Sequence, residues 1–92
     1  MLSFELGEIV ISTAGRDKGK YYLVVDIVDN KNIKLADGDS RKISQEKKKN
    51  IKHIKKTGYV AEELSQWLKE AKRVRNEDLK SIISDYAKNK EA

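Results

Sequence analysis

The 92-residue sequence predicts a mainly β fold: a small five-stranded antiparallel barrel followed by a C-terminal extension of two helices. Three observations predict it. Up to Gly58, apolar residues come in short runs rich in β-branched and aromatic types, each bounded by Gly, Asn or Asp. Beyond Gly58 they recur at steps of three and four, the helical period. The excess of positive charge stops at the same place. Residues 1–58 hold thirteen Lys and Arg against eight Asp and Glu, whereas residues 59–92 hold seven of each. A barrel domain is therefore placed over 1–58, and a helical extension packed on it over 59–92.

Leu6 to Ser12 reads as the first strand. The second, Lys20 to Val28, sets Tyr21, Leu23, Val25 and Ile27 on one face. Asp26 shares the other face with Tyr22 and Val24, so the first set is assigned to the interior. Asp29-Asn30-Lys31 turns the chain. Asn32 to Ala36 is the third strand, with Ile33 and Leu35 inward. Asp37-Gly38-Asp39 is a hairpin signal, and Arg41–Ser44 and Asn50–Ile54 are assigned as short fourth and fifth strands. Five such strands in so short a segment make a small barrel. Val60, Leu64, Trp67, Leu68, Ala71 and Val74 then mark an amphipathic helix. Lys72, Arg73 and Arg75 near its end complement the helix dipole. Asn76, ahead of Glu77 and Asp78, is an N-cap signal for a second helix. Its stripe is Leu79, Ile82, Ile83 and Tyr86, and it is expected to fray near Lys88. No Gly or Pro separates the two helices, so a single bent helix is the alternative.

The segment Ala14-Gly15-Arg16-Asp17-Lys18-Gly19-Lys20 must reverse the chain between the first two strands. Gly15 and Gly19 can supply positive φ. Asp17 can hydrogen-bond nearby backbone and fix the loop. Arg16, Lys18 and Lys20 then stand on a stiff platform suited to phosphates. A nucleotide-binding P-loop is excluded. Three residues rather than four separate the glycines, Tyr21 follows Lys20 where Ser or Thr is needed, and a strand follows instead of a helix. A second cationic segment comprises Arg41, Lys42, Lys47, Lys48, Lys49, Lys52, Lys55 and Lys56, opposed locally only by Glu46. Such a concentration is the footprint of a nucleic-acid binder. A merely solvated charged face is the plainer explanation. It is weakened because the run alternates into strand-like Asn50-Ile51-Lys52-His53-Ile54, where cations stand out from one face together. Of the adjacent Tyr21 and Tyr22, Tyr22 is the candidate for an exposed residue that stacks on a base.

Gly7-Glu8-Ile9-Val10-Ile11-Ser12, leading through the 14–20 loop to Val24-Val25-Asp26, resembles a KOW motif. Among KOW proteins it most resembles the L-fourteen-e group of archaeal and eukaryotic large-subunit ribosomal proteins. Asn50-Ile51-Lys52-His53-Ile54, with Thr57 beyond, resembles the end of that group's barrel. The tail is similar to that of short bacterial KOW-domain RNA-binding proteins, in which a helical extension follows the barrel. It departs from the long basic extension of the ribosomal proteins. The resemblance implies an SH3-like barrel, ribosomal or other structured RNA as ligand, ribosomal proteins as further neighbours, Gly19 as the motif glycine, and no catalysis.

Other function classes fall away. With no cysteine there is neither a disulfide framework nor a Cys-based metal site. Met1-Leu2-Ser3-Phe4-Glu5 does not begin a signal peptide, and no apolar run approaches the roughly 20 residues that cross a bilayer. A soluble, cytoplasmic protein with no membrane partner is expected. His53 is the only histidine, and it has no companion ligand for a metal. Trp67 is flanked at helical spacing by Leu64, Leu68 and Ala71, and is assigned to the core. Glu62, Glu63 and Glu70 fit a solvated helix face. No nucleophile–base arrangement is present. The expectation is a non-enzymatic RNA-binding protein without cofactor or metal. Its interface comprises Gly15, Arg16, Lys18, Gly19, Lys20 and Tyr22, with the cations of the 41–56 segment. The alternative is a protein-interaction module that docks on the ribosome or the transcription machinery. The oligomeric state is left open.

Overall fold

The computed structural model describes residues 4–91. Met1, Leu2 and Ser3, part of the N-terminal reading, and Ala92, at the expected frayed end, lie outside the described residues. Five strands form one antiparallel sheet: β1 (Glu8–Ser12), β2 (Tyr21–Ile27), β3 (Asn32–Ala36), β4 (Lys47–Asn50) and β5 (Ile54–Val60). Their order is β4-β3-β2-β1-β5, curled into a small SH3-like barrel. Two helices follow, α1 (Glu62–Lys69) and α2 (Asn76–Glu91).

Strands β1 and β2 read as nearly continuous apolar runs because both faces of the sheet are covered there. Tyr22 and Val24 join Val10, Ile33, Leu35 and Ile54 inside the barrel. Leu23 and Val25 join Ile9, Ala36, Ala61, Leu64 and Leu79 under the helices. The set assigned to the interior from its alternation is thus the helix-facing set, and the barrel interior belongs to its neighbours. Ile27 is a further correction. A bulge between Val24 and Asp26 breaks the alternation, and Ile27 is 43% exposed.

The last two strands fall later than expected. Around Arg41, the Asp37 carboxylate accepts the N–H groups of Asp39 and Arg41 and the hydroxyl of Ser40, which fixes a loop. Ile43–Gln45 is then a single 3-10 turn. The fourth strand is Lys47-Lys48-Lys49-Asn50, with Lys47 opposite Leu35 and Lys49 opposite Ile33. Lysine runs carry little β propensity. This one is a strand because the edge of β3 offers a ladder, and because its alternate side chains find partners. The Asn50 side chain accepts the N–H of Lys52 and turns Ile51–His53 into a second 3-10 turn. The fifth strand therefore starts at Ile54 and runs past Gly58 to Val60. There the Thr57 hydroxyl donates to the Ile9 carbonyl at 2.6 Å.

The helical region consists of two helices, and the first is shorter than its apolar pattern. Ala71 takes φ 55°, Ala71 N–H donates to Leu68 O, and Lys72 N–H donates to Trp67 O. This is a Schellman stop built on alanine instead of glycine. Asn76 is the first helical residue of α2 and not its cap. Its Oδ1 accepts the Ile43 N–H at 2.8 Å, while the Asp78 carboxylate reaches back to the N–H of Arg75. The second helix also continues through Glu91, beyond the expected fraying point.

Two glycines let the helices close on the barrel. A Cβ on Gly7 would lie 2.9 Å from both Ala61 O and Ser65 N, and one on Gly38 would collide with the Asn76 carbonyl. Both have positive φ, 83° and 80°. Leu64 and Leu79 are fully buried, and Trp67, Leu68, Ile82 and Ile83 pack half-buried against the same cluster. Tyr86 meets Tyr21 edge-on at 5.7 Å and Tyr59 at 5.2 Å.

Two substitutions test this account in opposite directions. Ala71→Gly removes a left-handed alanine, and is expected to raise stability by about 1 kcal/mol. Gly38→Ala puts a methyl against the start of α2, and is expected to lower it by about 3 kcal/mol. Urea unfolding followed by Trp67 fluorescence measures both. A loss on Ala71→Gly would contradict the Schellman stop.

Candidate nucleic-acid interface

The loop between β1 and β2 is held from beneath. Gly15 and Gly19 have φ 84° and 89°, and Gly19 N–H donates to Ser12 O while Lys20 N–H donates to Asp17 O. Asp17 points inward, and its side chain is 9% exposed. It fixes the loop through side chains, where the sequence reading expected backbone. The Ser12 hydroxyl donates to Asp17 Oδ1 at 2.8 Å, Lys49 Nζ to the same oxygen at 2.9 Å, and Lys47 Nζ to Oδ2 at 3.0 Å. Lys49 also reaches the Ala14 carbonyl at 3.1 Å. Burial alone would raise the Asp17 pKa. The hydrogen bonds from Lys49, Lys47 and Ser12 outweigh burial and hold the carboxyl well below the usual carboxylate range.

The structure divides the candidate residues into two groups. Arg16, Lys18 and Lys20 are exposed on the braced loop, with Gly15 and Gly19 beside them. Lys42, Lys48, Lys52 and Lys55 are exposed, and Arg41 is half-buried. None of these eight cations pairs with an acid among the described residues. Thr13 N–H donates to His53 O at 2.9 Å. That bond sets the second 3-10 turn, with Lys52, beside the root of the loop. Lys55 lies opposite Ile11 on β5.

The second group is engaged internally. Lys47 and Lys49 share the face of β4 that looks toward the interior, and the Lys49 side chain is only 9% exposed. Lys56 pairs with the buried Glu8 at 2.8 Å and lies 4.5 Å from the centre of the Phe4 ring. Tyr22 is a correction. It is 3% exposed and lines the barrel core, so it presents no ring to a base. Burial and the neighbouring Asp17 carboxylate push its phenol up to about 12. The brace residues Ser12 and Asp17 escaped the sequence reading as lysine partners. The available signal was one acid inside an otherwise cationic loop.

Among the described residues, no group of His, Asp and Glu could hold a metal ion, and no helix is long and apolar enough to cross a membrane.

Fold and site together define a small five-stranded barrel carrying a braced cationic loop. Over 57 residues, 62% of its length, the chain is 35% identical to large ribosomal subunit protein eL14 of Desulfurococcus amylolyticus. The match spans 59% of that protein. The chain thus resembles archaeal eL14. No protein-family model matches it.

The brace predicts a pH dependence and a contrast between neighbouring lysines. The folded-state pKa of Asp17 is depressed, so its stabilisation is present above the ordinary value of 3.8 and is lost as pH falls below it. The variant Asp17→Asn should lose part of that acid sensitivity. Lys49→Met leaves a buried carboxylate short of a partner and is expected to cost about 3 kcal/mol. Lys48→Met should change stability by less than about 0.5 kcal/mol. Urea denaturation across acidic pH reads all three, and equal costs at positions 48 and 49 would overturn the brace.

Proposed function

We propose that the protein is a non-enzymatic RNA-binding protein of the ribosome that holds structured ribosomal RNA against the cationic end of its barrel. One observation carries the reading. A buried carboxylate stiffens the β1–β2 loop by engaging Lys47 and Lys49, and leaves Arg16, Lys18 and Lys20 exposed with no acid partner among the described residues. The similarity to a protein named as a large-subunit ribosomal protein supports the same reading and a cytoplasmic setting. Affinity then rests on phosphate neutralisation and counterion release. Arg16 contributes orientation through its planar fork, whereas Lys18, Lys20, Lys48, Lys52 and Lys55 act as point charges. With Tyr22 buried, stacking on a splayed base has little part, which favours recognition of a folded RNA by shape and backbone.

Fluorescence anisotropy with ribosomal RNA fragments at several salt concentrations tests the proposal. If about five phosphates are contacted, log affinity against log salt falls with a slope of about −3.5 to −4.5. The combined variant Arg16→Ala, Lys18→Ala and Lys20→Ala should flatten the slope by about 2 and keep the fold, because exposed charges add little stability. Co-sedimentation with a ribosomal subunit in a sucrose gradient should weaken in the same variant. Association that is insensitive to salt and unchanged in the variant would replace RNA binding with docking on a protein.

A further inference from the structure

The charge of the helical region balances in the sequence, but not in space. A groove of about 420 Å³ runs between α1, α2 and the end of β5. Its apolar floor comprises Leu64, Trp67 and Ile82, with Tyr59 at one side. Four carboxylates line it, Glu62, Glu63, Asp78 and Asp85, and no Lys, Arg or His does among the described residues.

Helix dipoles explain part of this arrangement. Glu62 and Glu63 lie in the first turn of α1 and Asp78 in the first turn of α2, where acids are favoured. Asp78 also uses one oxygen to hold the Arg75 N–H. Dipoles do not explain Asp85, which lies in the middle of α2. Nor do they explain why all four acids converge on one apolar trough in a chain of net charge +5. Glu62, Glu63 and Asp85 form no ion pair among the described residues. A free apolar trough ringed by uncompensated negative charge is complementary to a segment that carries cations around an apolar anchor.

We propose that this groove docks a Lys/Arg-rich peptide segment of a protein partner. An apolar side chain of the segment inserts between Trp67 and Ile82, above the buried Leu64, and its cations meet Glu62, Glu63 and Asp85. The site is separate from the cationic end of the barrel. RNA is disfavoured here because the same acids repel phosphate. A second copy of this chain would have to bring its own basic segment, whose apolar side chains Ile43, Ile51 and Ile54 already pack against its own cores.

Trp67 is the only tryptophan and lies in the groove, so it serves as the reporter. The full chain is titrated at low salt with a synthetic peptide of Lys and Arg around a central Leu-Leu pair. Trp67 emission is expected to shift and saturate. In the variant Glu62→Gln, Glu63→Gln, Asp85→Asn, the affinity should fall by about tenfold, the sum expected of three exposed charge pairs. The same peptide with Ser-Ser for Leu-Leu should bind more weakly, and one with Glu for every cation should not bind. Affinity for ribosomal RNA fragments should not fall in the variant, which separates this site from the barrel surface. No saturable Trp67 response, or equal affinity for the variant, overturns the proposal. Sedimentation showing a dimer with Trp67 shielded in the absence of peptide also overturns it, in favour of a second copy as the occupant.

Discussion

Asp17 is a carboxylate on a surface loop that points into the protein, and the cationic end of the barrel is arranged around it. The sheet order leaves β4 and β5 as edges, with no backbone ladder joining them. Across that gap, the Asp17 side chain gathers the Ser12 hydroxyl at the end of β1 and the amines of Lys47 and Lys49 on β4. Desolvating such a cluster costs several kcal/mol per ion. Its net gain in stability over an apolar substitute is therefore small. What it supplies is register: only one alignment of β4 on β3 puts Lys47 and Lys49, rather than Lys48, in reach of Asp17. It also protects the edge, because a strand of three lysines discourages pairing with another sheet.

A second buried acid does similar work nearby. Glu8 is 1% exposed, and its Oε1 accepts from Lys56 and from the Glu5 N–H. Together with Lys34–Glu46, these contacts pair four lysines of the barrel region with acids. The positive field outside the barrel therefore comes from fewer side chains than composition implies. Those that remain are concentrated at the β1–β2 loop, the second 3-10 turn and the outer faces of β4 and β5. Net charge locates a nucleic-acid surface only after the internal pairs have been subtracted.

The parts of this fold that were legible in the sequence share one property: a local signal that agreed with the tertiary outcome. Strands β1 and β2 are apolar and β-branched, β3 alternates, and turn residues flank all three. The two helices show their stripes. Where the reading failed, tertiary contacts overrode local preference. β4 is a strand despite three lysines, because β3 and Asp17 hold it. Tyr22 is assigned outward because alternation assumes one wet face, whereas here the helices cover the second face and four consecutive residues of β2, Tyr22 to Val25, are buried. α1 stops at a left-handed alanine that carries no stop signal of its own. The loop cations Arg16, Lys18 and Lys20 were legible because exposure is the default for charge. The role of Lys49 was not, because its partner lies thirty-two positions away in sequence.

The helical region gives the barrel a second chemical character. Without α1 and α2, the outer sheet face of Ile9, Leu23, Val25 and Ala36 would meet water. Ala61, Leu64 and Leu79 are buried over that face, and Gly7 and Gly38 bring the helices close enough to achieve it. The rest of both apolar stripes packs half-buried against the same cluster, with Trp67 and Ile82 also lining the trough between the helices. Acids collect on that trough, while the barrel presents Arg16, Lys18, Lys20, Lys48, Lys52 and Lys55 without acid partners among the described residues. One small chain thus presents two surfaces of opposite sign on one scaffold. On the two proposals above, each surface repels the other's ligand, and an RNA and a basic protein segment are held at the same time without competition.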